Sequence, residues 1–181
     1  MPNNSYVLGT YQNRNAVESA VRGFKDAGFS GSEVSAILPE KGDSKKVMSG
    51  ADAKAPRSAT NPGFAPGSEV QGAIGWLVGF GALTLPGIGP VIAVGPLIAA
   101  LASVGMGGTS RGFAESLSAL GLPINTATRY EQKLLGGEAL VAICCESPEH
   151  CQRAREIMEI TRAEDIAATA DRFKHPNSTA A

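Results

Sequence analysis

The sequence predicts an α+β protein: a ferredoxin-like split βαβ sandwich interrupted by an inserted glycine-rich apolar helical hairpin. Three observations carry that expectation. Strand-like and helix-like runs alternate over residues 1–38 and again over 111–170. Between these halves, a block from Val70 to Ser110 contains no Asp, Glu, Lys, Arg or His and holds ten of the 22 glycines. Residues 39–69, which precede the block, are rich in Gly, Pro, Ser, Ala and Lys, show no period and read as a flexible linker.

The first half opens on Tyr6-Val7-Leu8-Gly9-Thr10-Tyr11, a run of β-formers. Asn15 and Glu18 have the spacing of a capping box, and Val17, Ala20, Val21, Phe24 and Ala27 recur at helical period before Gly28 stops the helix. Glu33 to Leu38 is a short strand closed by Pro39, which cannot donate to a ladder. In the second half, Phe113, Ala114, Leu117 and Leu120 mark an amphipathic helix that ends at Gly121. Asn125 can cap a further helix through Ala127, Tyr130 and Leu134, which Gly136-Gly137 ends. Ala139 to Cys144 is an apolar run of inner-strand length. Ser147-Pro148-Glu149 supplies a hydroxyl cap, a proline at the first helical position and an acid in the first turn. Cys151, Ala154, Ile157, Met158 and Thr161 then form an inward stripe, Glu164 to Ala170 reads as a last strand, and 171–181 as a disordered tail. The helices are expected to pack on one face of a four-stranded antiparallel sheet.

The uncharged block, 70–110, reads as two helical arms. Gly75 and Gly79 are four apart and clear one helix face of side chains, with Gly72, Trp76 and Phe80 in the same arm. Leu85-Pro86-Gly87-Ile88-Gly89-Pro90 must turn, and the second arm repeats small residues at Gly95, Ala99, Ala102, Ser103 and Gly107. Each glycine inside a helix costs up to about 1 kcal/mol relative to alanine, so the arms demand a close-packed partner. That partner lies within the hairpin or in a second copy of the chain, or it is a lipid surface. A bilayer span needs about 20 apolar residues, and the first arm, Val70 to Leu85, has 16. The expectation is therefore a homo-oligomer, with membrane association as the alternative, and the ten residues named here, Gly72 to Gly107, as the contact set.

Composition excludes several classes. Of 181 residues 18% are charged, the formal net charge is −1, and neither half is basic enough for nucleic acid. Met1-Pro2-Asn3-Asn4-Ser5 lacks the basic start of a secretory leader, and the odd count of 3 cysteines suits a reducing, cytoplasmic setting. Cys144 and Cys145, neighbours on a strand, point to opposite faces, so with His150 and Cys151 they match no zinc spacing. They read as ordinary buried cysteines ahead of a redox or metal role. No Gly-Lys-Ser/Thr loop, dinucleotide fingerprint or catalytic triad is present, so no catalytic residue, cofactor, metal or small-molecule substrate is expected.

Gly72 to Gly81, Pro86-Gly87-Ile88-Gly89-Pro90, Gly95-Pro96-Leu97, Gly121-Leu122-Pro123, Tyr130-Glu131, Leu134 and Gly136-Gly137 occur in that order. In these elements the chain resembles the bacterial heat-induced or general stress proteins of the YflT type. The resemblance implies a bacterial stress-response role and a small α+β domain without an established reaction. The long linker and the Cys144-Cys145 pair depart from that pattern.

Overall fold

A computed structural model describes residues 5–39, 81–85, 89–104 and 112–169, with the backbone alone at 81–85, 89 and 90. The chain forms a mixed α+β structure. Its elements are β1 (Ser5–Tyr11), α1 (Arg14–Asp26), β2 (Val34–Pro39), β3 (Gly81–Leu85), β4 (Gly89–Val94), α2 (Pro96–Ser103), α3 (Phe113–Ala119), α4 (Ile124–Leu135), β5 (Ala139–Cys145), α5 (Pro148–Ile160) and β6 (Glu164–Ala168).

The strands form one sheet in the order β3-β4-β2-β5-β1-β6, with every neighbouring pair antiparallel. Alternation along β1 and β5 sends their side chains into two separate cores. Val7, Tyr11, Val141, Ile143 and Cys145 pack under α1 and α5 with Val17, Phe24, Ala154 and Met158. Tyr6, Leu8, Leu140, Ala142 and Cys144 pack on the opposite face with Leu97 of α2, Leu117 of α3 and Tyr130 and Leu134 of α4. A strand covered on both faces needs an unbroken apolar run, which is why β5 reads ALVAICC and is buried throughout. The helices therefore cover both faces, where a single covered face was expected. The amphipathic stripes are as expected, but a stripe does not encode which face of a sheet it covers.

The uncharged block departs further from expectation. Its described part, β3, β4 and α2, is a strand hairpin followed by one short helix, so the helical hairpin expected over 70–110 is not what residues 81–94 form. Val91, Ile92 and Val94 explain the outcome, since β-branched side chains favour a pleated strand and β4 packs into both cores through Val91 and Val94. Other boundaries moved by a turn or less. Asn13, rather than Asn15, caps α1 by accepting from the Ala16 N–H at 2.9 Å. α4 opens after Pro123, which places Asn125 inside its first turn. Ser147 caps α5 as expected, accepting from the His150 N–H at 3.2 Å.

Four helices end in one motif. After α1, the Phe29 N–H reaches back to the Phe24 carbonyl at 3.0 Å and the Gly28 N–H to that of Lys25 at 3.1 Å. Phe29 then meets Phe24 edge to face, with centroids 5.4 Å apart, the apolar contact that frequently accompanies a Schellman motif. The same pair of bonds closes α3 at Gly121, α4 at Gly137 and α5 at Arg162.

Candidate functional site

The contact set expected from sequence falls unevenly. Gly72, Gly75, Trp76, Gly79, Phe80 and Gly107 lie outside the described residues. Gly95 is the corner between β4 and α2, at φ +100°, and is packed against the backbone of Val34 and Ser35. Its smallness serves this chain's own fold. Ser35 Oγ accepts from the Leu97 N–H at 3.0 Å and thereby fixes the start of α2, where Gly95 brings no side-chain cap. Ala99, Ala102 and Ser103 share the exposed side of α2, while Leu97 and Leu101 are buried.

The two sheet edges differ in kind. The direction of the ladder at β3 follows from one bond: the Cys144 N–H donates to the Glu33 carbonyl at 2.8 Å. Alternation from that anchor makes Ser35 and Ile37 bond across to β5, and turns Ala36 and Leu38 towards β4. Val94 and Ile92 meet those two, so Ala93, Val91 and Gly89 serve β3 through Gly81, Leu83 and Leu85. Ala82 and Thr84 are left directing their N–H and C=O groups away from β4. Pro90 falls opposite Thr84, a pair that exchanges no ladder bonds, which is where a proline fits. Among the described residues β3 has one neighbour, and it carries no charge.

The opposite edge, β6, is defended. Its pairing with β1 shifts register between Leu8 and Thr10, Asp165 sits at φ +48°, and Glu164 and Asp165 place carboxylates along it. Lys133 of α4 gathers these groups. Its Nζ lies 2.9 Å from Glu164 Oε2, 3.2 Å from Asp165 Oδ2 and 3.2 Å from Glu138 Oε2, and it donates to Thr10 Oγ1 at 3.2 Å. Burial would lower the Lys133 pKa, but the hydrogen bonds that its ammonium donates to Glu164, Glu138 and Asp165 outweigh it and hold it above its ordinary value. The same bond from Lys133, helped by Gln12 Nε2 at 2.6 Å, lowers that of Glu164. Arg129 adds an ion pair to Asp165 at 3.4 Å.

Tyr130 and Glu131 next to this cluster act structurally. The buried Tyr130 hydroxyl donates to the carbonyl of Asp165 and, at 3.3 Å, to that of Leu8, which ties α4 to β6 and β1. Glu131 Oε2 accepts from the Ala114 N–H at 3.0 Å and caps α3, where Gly112 has no side chain to do so.

The cysteines occupy both cores, Cys144 under α2 to α4 and Cys145 with Cys151 under α1 and α5, as strand alternation predicts. All are buried thiols. Burial pushes the Cys145 thiol up, and its hydrogen-bonded neighbour Cys151 adds to the shift. His150 is engaged in packing: its ring stacks on Phe29 at 4.5 Å, and Arg153 lies over the same ring while donating to the Ala27 carbonyl at 2.9 Å. Among the described residues no group of three or more His, Cys, Asp or Glu could hold a metal ion, and no helix is long and apolar enough to cross a membrane.

The Lys133 cluster was missed from sequence. Lys133 meets partners 5, 31 and 123 positions away, and no local pattern marks such a set. Comparison with family models, curated proteins and solved structures finds no match.

Proposed function

We propose that this is a non-enzymatic protein that self-associates by pairing the β3 edges of two copies, and that it serves in a bacterial stress response. The observation that carries the assembly is the contrast between the edges. β6 bears charge, a register shift and a left-handed residue, the devices by which sheets block edge pairing, and β3 bears none of them in its five residues. An uncharged edge with one neighbour among the described residues is a template for another strand, and a second copy meets it through a two-fold axis with Ala82 and Thr84 of each chain exchanging bonds. The stress role rests on the resemblance of the glycine- and proline-rich elements. In this reading β2, β5, β1 and β6 are the four strands of a ferredoxin-like sandwich, β1-α1-β2 and β5-α5-β6 are its halves, and the β3-β4 hairpin extends the sheet to make the contact.

Size-exclusion chromatography with light scattering, without detergent, tests the assembly. The unsubstituted chain is expected to run as a dimer or a larger species. Thr84→Pro removes an outward donor and leaves the β3–β4 bonds in place, so it should shift the protein to monomer with little change in melting temperature. A monomeric parent, or assembly indifferent to Thr84→Pro, refutes the edge-pairing model. If Gly75→Leu or Gly79→Leu dissociates the protein and Thr84→Pro does not, the contact lies in the segment before β3.

A further inference from the structure

β1 and β2 are parallel, since both run antiparallel to β5, and α1 crosses between them on the face that it shares with α5. β5 and β6 are parallel for the same reason, and α5 makes that crossing on the same face in the reverse direction. β2 and β3 are a third such pair, both antiparallel to β4. Residues 40–80, outside the described residues, therefore carry the chain from the end of β2 back to the start of β3. The step from β2 to β3 repeats the step from β1 to β2 in strand direction and in direction across the sheet. Crossovers between parallel strands keep one hand in nearly all proteins, so the same hand puts this one on the α1 face. The other face is closed over β4, because α2 packs there with Leu97 and Leu101. The return from β4 to β5 takes that closed face with α2, α3 and α4, as α1 already covers β2 and β5 on the first.

Over β4 the α1 face is apolar and short of cover. Leu38, Ile92 and Val94 pave it, and β3 widens it by one strand. α1 and α5 pack on β1, β2 and β5, and Ile92 is only partly buried at the margin of their core. We propose that residues 70–80 fold back over this face of β4 and β3 and seal it, so that the sheet's outer apolar surface is covered by its own chain. The segment suits the surface: it holds Ile74, Trp76, Leu77, Val78 and Phe80, carries no charge and runs directly into Gly81 of β3. The preceding residues, 40–69, are rich in lysine, acids and proline and suit solvent. The length suits it too. β3 has 5 residues and spans about 16 Å at about 3.3 Å per residue, and residues 70–80 cover the same distance even when wound as a helix at about 1.5 Å per residue. The seal rests on sheet order and leaves the β3 edge itself open to a second copy.

Trp76 is the chain's only tryptophan and reports on the seal by fluorescence. In the full chain its emission should be blue-shifted and its quenching by acrylamide several-fold weaker than in urea. Both should hold on dilution and in the Thr84→Pro monomer. Ile92→Lys places a charge under the segment and should shift emission to the red and raise quenching while circular dichroism stays native. Ala99→Lys, on the exposed side of α2 across the sheet, should change neither. Ile92→p-benzoylphenylalanine, illuminated and mapped by mass spectrometry, should cross-link to the 70–80 peptide at the mass of one chain, which decides the matter if Ile92→Lys fails to fold. The proposal is overturned if Trp76 is quenched in the folded chain as in urea, if its burial is lost on dilution to monomer, if it is buried only when phosphatidylcholine vesicles are added, or if the cross-link joins two chains. Light scattering reads edge pairing separately, so assembly indifferent to Thr84→Pro would refute that contact and leave the seal standing.

Discussion

A Cβ built at Gly95 would lie 2.6 Å from both Cα and Oγ of Ser35 and would also strike the Val34 carbonyl oxygen. Two of these obstacles are backbone atoms of β2, which is held in the sheet on both sides and cannot give way. The residue's φ of +100° adds a second penalty, because an L side chain rarely adopts it. Gly95→Ala is therefore expected to destabilise the fold by about 3 kcal/mol or more, the sum of a strained backbone and a core clash. Urea denaturation checks it: the midpoint should fall sharply with the slope unchanged. Arg162 takes a similar left-handed role at the end of α5 with φ +62°, and nothing in the structure explains why an arginine stands where α1, α3 and α4 use glycine.

At the scale of elements, Lys133 joins α4, β1, β6 and the residue before β5 through one ammonium. Its side chain is 19% exposed and its carboxylate partners are 25 to 44% exposed, so solvent discounts each pair. Lys133→Met keeps the length of the stem and is expected to cost about 1–2 kcal/mol, mostly by leaving mutually repelling carboxylates on β6. Hydrogen exchange should show the loss locally: β6 amides exchange faster while those of β2 and β5 hold. Uniform loss of protection across the sheet would contradict a local clamp. Legibility divides along the same line. β1, β5, β6 and the stripes of α1, α4 and α5 could be read because their signals are periods within one element. Residues 81–94 were misread because absence of charge and abundance of glycine suit a close-packed helix seam as well as a buried strand pair. The β-branched residues of β4 were the signal that separates them. Of the candidate site, Gly95 was found for the wrong reason. The β3 edge needed the sheet order before it could be recognised.

Across the whole molecule, the sheet separates two cores, and the chain's 3 tyrosines are distributed between them. Tyr11 lies under α1 and α5, while Tyr6 and Tyr130 lie under α2 to α4. Burial raises the pKa of all three: that of Tyr11 is pushed up to about 12 against a bond from Thr161, Tyr6 is raised further with the help of Cys144, and Tyr130 with the help of the Asp165 carboxylate. The folded state therefore holds its phenols protonated where the unfolded chain releases them. By linkage, the stability they contribute is fully present below the ordinary tyrosine value of about 10 and is lost as pH rises through the folded values. While the native phenols stay neutral, each pH unit above about 10 removes about 1.4 kcal/mol per tyrosine, or about 4 kcal/mol for three. A domain of about 5 kcal/mol, the lower end of the usual range, then unfolds near pH 11, and a more stable one at correspondingly higher pH. Because β1 carries Tyr6 and Tyr11 on opposite faces, both cores lose stability in the same window, and the two layers should melt together. A pH titration with paired readouts tests this. Circular dichroism should stay native up to about pH 10, and phenolate absorbance should rise only as the fold is lost, in one step. A phenolate signal near its ordinary pH in a chain that keeps its native spectrum would show that one of these rings is open to water, and two separated steps would show that the cores are uncoupled.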